Sequence, residues 1–263
     1  MSGRNRTDLA SHQEAAFQAL CEVDKICKEN GITYYIIAGT TLGAVRHKGF
    51  IPWDDDIDIA IYRKDIHVVA SLLQKYLSDK YYYDDCYINP KFPRFYGKVI
   101  NRSSRYGCVD VFPLIQTSNN ILGRKIQWYM RKVIFKIYKA KIGYVNKNEV
   151  QGIVNYCKLV TAKLLSFLFT RDKIMNMVEK NETRYEKPAN NQNYIVLYGA
   201  HSMQNETIKV DWLEPKSVVE FHGQYFPTMG NIDMYLTNMY GDYMTPIRTE
   251  EQTLRHDETF KEG

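Results

Sequence analysis

Trp53-Asp54-Asp55-Asp56-Ile57-Asp58-Ile59-Ala60-Ile61 is the stretch on which the fold turns. Ile57, Ile59 and Ile61 recur at every second position, the period of a β-strand with one face on a core. Asp56 and Asp58 are two apart, so on a strand both carboxylates point away from the isoleucines. Asp54 joins them if the strand is extended back. Crowded carboxylates repel one another and are costly unless a cation neutralises them. Oxygen ligands with no His or Cys partner favour Mg2+ or Mn2+ over zinc. Mg2+ held by one or two carboxylates and by phosphate is the usual arrangement for phosphoryl transfer. Another acid, Asp110, sits in Cys108-Val109-Asp110-Val111-Phe112, again among alternating apolar residues. If the two strands lie side by side, three or four acids converge on one site. The competing reading is a set of solvated acids at strand edges; the apolar frame around both positions argues against it.

Working outward, Ser11 to Asn30 reads as a helix, opened by a Ser11-x-x-Glu14 capping box and stopped at Asn30-Gly31. Ile32 to Ala38 is β-branched and aromatic, a buried strand. Gly39-Thr40-Thr41 turns from that strand into a short helix ending near His47, and such a turn offers backbone N–H groups and hydroxyls to a phosphate. After Ile57–Tyr62, Asp65 caps a helix to about Leu77. Arg94–Ile100 and Gly107–Phe112 read as strands, with Gly107 and Pro113 as punctuation. A basic helical middle follows, then a loop at Lys187-Pro188-Ala189-Asn190-Asn191, short extended pieces, and a helix from Asp233 to Tyr240. The fold class is mixed α/β (α+β): a mixed-sheet core, a mainly helical, basic insertion and a C-terminal return. We divide it as 1–112 catalytic core, 113–187 basic helical region and 188–263 packing back on the core.

The chain has 263 residues, 44% hydrophobic and 25% charged, which excludes disordered and fibrous classes. No run of about 18 apolar residues encodes a transmembrane helix. The start, Met1-Ser2-Gly3-Arg4-Asn5-Arg6, is no signal core. Five scattered cysteines with no Cys-x-x-Cys pair read as reduced thiols of a cytoplasmic protein. The net charge is +5, but from Val111 to Arg171 eleven bases stand against one acid, Glu149, so this segment carries +10 and the remainder −5. Its apolar residues, Ile126, Trp128, Tyr129, Val133, Ile134, Ile137 and Tyr138, fall at helical spacing, and Leu159 to Phe169 forms a second apolar helix pattern. Two readings stand: a helix lying on an anionic membrane, or a packing helix with a basic outer face.

The stretch from Gly39-Thr40-Thr41-Leu42-Gly43-Ala44-Val45-Arg46-His47 through Pro52-Trp53-Asp54-Asp55-Asp56-Ile57-Asp58 resembles the signature of the LicD family. That family has a nucleotidyltransferase-like core and is related to the fukutin-type ribitol-phosphate transferases. Val109-Asp110-Val111-Phe112-Pro113-Leu114 is similar to its second motif. Phe221-His222-Gly223-Gln224-Tyr225-Phe226-Pro227 and Tyr235-Leu236 through Tyr240-Gly241-Asp242-Tyr243-Met244 resemble its C-terminal motif. Thr245-Pro246-Ile247 carries one proline where the family often has two.

The resemblance implies transfer of a phosphoryl-alcohol group from a CDP-activated donor, most often CDP-choline, to a sugar hydroxyl of a lipid-linked oligosaccharide precursor of teichoic acid or lipopolysaccharide type, with CMP leaving. It implies Mg2+, with Mn2+ an alternative, on Asp56 and Asp58, Asp54 as a third ligand, and Asp110 as ligand to a second metal or as base. Gly39, Thr40, Thr41, Arg46, His47, Trp53 and Lys98 are the substrate-binding candidates. Lys98 is either an inward lysine with an anionic partner or a solvated edge lysine. Asp55 faces away from the site. The 21 tyrosines, among them Tyr81, Tyr82, Tyr83, Tyr87 and Tyr96 with Phe92 and Phe95 nearby, together with Trp53, supply rings for a quaternary ammonium or simply pack on the core. The implied setting is cytoplasmic and peripheral, at the inner face of an anionic membrane. CDP-ribitol or CDP-glycerol is the alternative donor. Nucleic-acid binding is the reading from another class, and no RNA-binding motif supports it.

Overall fold

The computed structural model describes residues 6–104, 106–144, 153–186 and 193–245. The loop expected over 187–191 and the proline at 246 lie outside them. β2 (Ile57–Tyr62) follows the expected strand residue for residue. Its three isoleucines are fully buried against Leu20 and Val23 of α1 (Arg6–Glu29) and Leu73 of α3 (Ile66–Tyr76). β1 (Tyr34–Ile36) pairs antiparallel on one side of β2, and β5 (Gly107–Thr117) runs parallel on the other. With β4 (Gly97–Asn101) and β3 (Tyr81–Asp84) the order is β1-β2-β5-β4-β3. This mixed sheet with helices packed on it is the α+β, nucleotidyltransferase-like architecture that the motifs imply.

β5 is the spine. Its first half pairs with β4, the last match being Gly97 with Val111. Its second half, from Leu114, pairs with β6 (Asn193–Val196), which continues to β7 (Thr207–Lys209). Between them the sheet splits on that edge. Pro113 does not end the strand as expected; it sits inside β5 at the split, where a residue without an N–H is best tolerated.

Three local expectations change. α1 already runs from Arg6, so Ser11 lies inside the helix and cannot cap it; Leu9 and Ala10 are good helix formers and carry the helix back. The stop holds, with Gly31 at φ +66°. The strand after it is shorter than 32–38, because Ala38 takes φ +48° and opens α2 (Ala38–His47), making Gly39-Thr40-Thr41 the first helical turn. Asp65 precedes α3 without a side-chain capping bond, since a 3-10 turn over Arg63–Asp65 leads into the helix.

The helical middle forms α4 (Ile121–Lys141), α5 (Ile153–Leu168) and α6 (Arg171–Glu182). The apolar stripe expected on α4 divides: Trp128, Ile134, Ile137 and Tyr138 are buried, while Ile126, Tyr129 and Val133 are exposed. Buried polar bonds tie these helices to the sheet. Thr117 Oγ1 donates to Gln127 Oε1 at 2.7 Å, and Gln127 and Asn181 exchange amide-to-carbonyl bonds at 2.9 and 3.1 Å.

The C-terminal part comprises α7 (Val210–Leu213), β8 (Ser217–Phe221), β9 (Gln224–Thr228) and α8 (Ile232–Tyr240). His222 and Gly223, at φ 48° and 76°, make the β8–β9 turn, the left-handed pair that a two-residue hairpin requires. The hairpin fastens the first motif from behind: His222 N–H donates to the Lys48 carbonyl at 2.7 Å, and Thr228 Oγ1 to that of Ile36 at 3.0 Å.

Gly43 of α2 touches the chain that leads to the acids. A Cβ there would lie 2.4 Å from Gly49 O and 3.1 Å from Ile51 N, both backbone atoms. Gly43→Ala is therefore expected to cost about 2 kcal/mol despite the better helix propensity of alanine. Thermal unfolding should show a melting temperature lower by roughly 4–8 °C. An unchanged or raised value would show that this helix packs less tightly on residues 49–51.

Candidate active site

Strand register creates the charged centre. Asp58 of β2 is matched with Asp110 of β5, and Asp110 with Lys98 of β4. Matched residues on neighbouring strands share a face and stand about 5 Å apart. One carboxylate oxygen from each of Asp56, Asp58 and Asp110 lies within 4.8 Å of the others, and the same holds for Asp54, Asp55 and Asp56. Lys98 Nζ donates to Asp110 Oδ1 at 2.5 Å with its side chain only 14% exposed, so it faces the acids and not water. Asp55 is buried and does not line the cavity, although its carboxylate stays close to Asp54 and Asp56.

Burial pushes the Asp58 carboxyl well above its ordinary range. Asp56, Asp110 and Asp54 add to this, and Lys98 opposes it. Asp110 is buried and Asp56 and Asp58 are half-buried, and one lysine balances them only partly, so the group could hold a cation. Its donors are all carboxylate oxygens, the set that suits a hard divalent ion.

These acids line one side of a cavity of about 560 Å3, a volume in the usual range for a small-molecule site. Five carboxylates line it, Asp54, Asp56, Asp58, Asp110 and Glu206, against three cations, Arg46, Arg94 and Lys98. With His201 neutral the lining is formally −2, which one divalent ion balances. Trp53, Tyr96, Phe112, Tyr198 and Tyr240 form its aromatic wall. Among the described residues the lining contains no Asn, Gln, Ser or Thr.

The two threonines of the Gly-Thr turn make bonds within the fold. Thr40 and Thr41 do not line the cavity. Thr40 Oγ1 accepts the Asp58 N–H at 2.8 Å, and Thr41 Oγ1 donates to the Ile36 carbonyl at 2.8 Å. Their own N–H groups donate to the Ile37 carbonyl at 3.1 and 3.2 Å. Thr40 thus ties α2 to the strand that carries Asp58, and Thr41 ties it to the end of β1. Gly39 does line the cavity, and a Cβ there would stand 2.8 Å from Asp54 Oδ2; the glycine lets that carboxylate seat itself over the start of α2. Arg46 reaches the cavity wall and donates to the Tyr243 carbonyl at 3.1 Å. His47 does not line it. Its ring lies against the Arg46 guanidinium, and burial and that neighbour both lower its pKa, which disfavours the charged form a phosphate would attract.

Of the aromatic residues singled out in the sequence, Trp53 and Tyr96 line the cavity. Tyr81, Tyr83, Phe92 and Phe95 are core residues; Tyr82 lies under the Arg102 guanidinium and Tyr87 against the His67 ring. Sequence reasoning missed Arg94, Tyr198, His201 and Glu206 as lining residues, because they come from connections with no local motif. Tyr240 lies in the C-terminal motif and could have been found there. Glu206 is buried, its carboxylate accepts the His201 N–H at 2.9 Å, and burial pushes it up to about 7. Tyr198 Oη donates to Glu182 Oε1 at 2.6 Å, and Glu182 also pairs with Arg63, so α6 braces this wall from behind.

Comparison with known proteins matches residues 31–143 to the family described as LicD/FKTN/FKRP, nucleotidyltransferase domain. The chain is similar to the lipopolysaccharide cholinephosphotransferase LicD of Haemophilus influenzae, 27% identical over 267 residues that cover 91% of this chain and 90% of that protein. A shorter stretch of 36 residues is 47% identical to the ribitol 5-phosphate transferase FKRP of Homo sapiens, covering 14% of this chain and 7% of that protein.

The raised Asp58 makes a stability prediction. The native state holds this proton more tightly than the unfolded chain, whose carboxyl titrates at the ordinary 3.8. Stability therefore falls as pH rises above about 4. Glu206, displaced in the same direction, adds to the slope. With a chelator present, the melting temperature should be higher at pH 5.5 than at pH 7.5. Asp58→Asn should raise it at pH 7.5, by roughly 2–4 °C per kcal/mol of relieved repulsion, and should flatten the pH dependence. A melting temperature that rises with pH in the parent protein would contradict the electrostatics described here.

Proposed function

We propose that this chain, whose residues 31–143 match the LicD/FKTN/FKRP nucleotidyltransferase domain, is a metal-dependent phosphotransferase of cell-envelope glycan synthesis. It moves phosphocholine from CDP-choline to a sugar hydroxyl of a lipid-linked precursor on the cytoplasmic side of the membrane, and CMP leaves. The observation that carries this reading is the convergence of Asp56, Asp58 and Asp110 beside Lys98 on the wall of a cavity with ligand dimensions. The full-length similarity to a lipopolysaccharide cholinephosphotransferase supports the reaction class and the acceptor class.

Asp56, Asp58 and Asp110 would hold Mg2+, or Mn2+, with Asp54 at hand as a further ligand. Such an ion neutralises developing charge on the diphosphate and aligns attacking and leaving oxygens. The chain supplies the rest. Lys98, paired with Asp110 on the same wall, would meet the equatorial oxygens of the phosphoryl group. Arg46 and Arg94 add positive potential on the cavity wall. Thr40 and Thr41 tie α2 to Asp58 of β2 and to the end of β1, so the site is organised before substrate arrives.

The choice of choline over an alditol rests on the composition of the wall. A quaternary ammonium has no hydrogen-bonding group and is met by aromatic faces and carboxylates. Trp53, Tyr198 and Tyr240, with Glu206 beside them, offer that chemistry. The hydroxyls of ribitol or glycerol would take Asn, Gln, Asp or Arg partners; the described lining has no Asn or Gln, and its carboxylates and arginines gather at the acid cluster or pair with the charges of the donor, so the aromatic wall tips the choice to choline.

A donor panel at equal concentration is the test. CDP-choline should release CMP, and CDP-ribitol and CDP-glycerol should not. EDTA should stop turnover and Mg2+ restore it. Asp56→Asn and Asp58→Asn should each lower kcat roughly a thousandfold while the melting temperature stays within a few degrees or rises. Preference for an alditol donor would refute the choline assignment and leave the cation site standing. Near-normal turnover in either variant would overturn the site itself.

A further inference from the structure

Helices α4 and α5 turn large apolar side chains toward solvent. On α4, Leu122, Tyr129 and Val133 point outward, and on α5, Leu164, Phe167 and Leu168 do so; all but Val133 are between 60% and 75% exposed. The spacing places each group on one side of its helix, by the 3.6-residue turn. This is an ordered pattern and not a scatter of single exposed residues. Neither helix contains an acidic residue. Lys125, Lys132 and Lys136 are exposed on the flank next to the apolar group of α4, and Lys163 is exposed on α5. The helices pack together, with Lys141 Nζ donating to the Ser166 carbonyl at 3.1 Å. Among the described residues no helix is long and apolar enough to cross a membrane.

We infer that the outer faces of α4 and α5 dock on an anionic lipid bilayer, with Leu122, Tyr129, Leu164, Phe167 and Leu168 entering the interface and the lysines meeting the headgroups. Apolar insertion and cationic attraction act on the same surface, the combination that holds an amphipathic helix in the plane of a membrane. A second copy of this chain is a poor occupant: two-fold pairing of a face without acids sets lysine against lysine. The opposite side of α4 faces residues of the cavity wall. Arg131 stacks on Trp128 at 3.8 Å and its charge acts on Tyr198 and Glu206, both lining residues. Docking would hold that cavity about one helix diameter, roughly 10 Å, from the lipid surface. The inference concerns binding alone and stands whether or not the donor is CDP-choline.

The test is co-sedimentation of the full chain with vesicles of phosphatidylcholine, with and without about one-third phosphatidylglycerol, at low and high salt. Binding should require the anionic lipid and weaken at high salt. Two variants separate the contributions: Leu164→Ser with Phe167→Ser and Leu168→Ser, and Lys132→Glu with Lys136→Glu. Each should lower vesicle binding about tenfold or more, with an unchanged melting temperature, because the altered residues are on the surface. Absence of binding by the parent protein, or variants that bind equally well, would overturn the inference. So would a parent dimer that the triple variant dissolves, or salt-sensitive binding to RNA and not to vesicles.

Discussion

The structure is organised around carboxylates placed where a sheet would ordinarily bury apolar groups. Asp58 and Asp110 are neighbours across a parallel strand pair, with Lys98 on the next strand. Register fixes this arrangement: sliding either strand by one residue would send the acid into the isoleucine and valine core on the other face. The fully buried Ile57, Ile59, Val109 and Val111 therefore hold the acids as much as they hold the fold. Hydrophobic burial supplies the energy that keeps like charges together, and a cation bound there would relieve the repulsion that is left over. A site prepared in this way spends little on reorganisation when substrate binds.

The cavity arises from the way β5 is shared. Because β4 and β6 take successive halves of the same edge, the sheet parts near Phe112. Tyr96 just before β4, Phe112 at the middle of β5 and Val196 at the end of β6 become its walls. α8 and the segment after β6 close it with Tyr240, Tyr198 and His201. The metal-type chemistry thus belongs to the sheet, while the shape and polarity of the remaining space belong to connections. This is the usual division between a scaffold and the loops that select ligands.

Much of this could be read from the chain. The alternation around Asp58 and Asp110 marked two strands with one buried face each, and their pairing follows from placing both acid rows together. What the sequence could not tell was where each hydroxyl goes. Thr40 and Thr41 look like phosphate ligands because a Gly-Thr turn commonly is one; only the three-dimensional path shows Asp58 N–H and Ile36 O lying within their reach. Similarly, a tyrosine reads alike whether it lies in the core, as Tyr83 does, or on a cavity wall, as Tyr96 does, since both have strand-like spacing. Glu206 carries no local sign at all; its burial comes from a turn whose Gly199 leaves space for the carboxylate, where a Cβ would stand 2.1 Å from Oε1.

The fastening of the first motif by the C-terminal part sets the order in which the molecule can become active. Ala38 N–H donates to Tyr235 Oη at 2.9 Å across 197 residues, and Thr41 Oγ1 meets Thr228 Oγ1 at 3.1 Å across 187. Such distant contacts form late, after the loop-closure entropy of nearly the whole chain has been overcome. During synthesis the acids therefore emerge from the ribosome long before the residues that brace them. A nascent chain displays an aspartate-rich segment without a finished pocket, and the pocket can close only once α8 has been made.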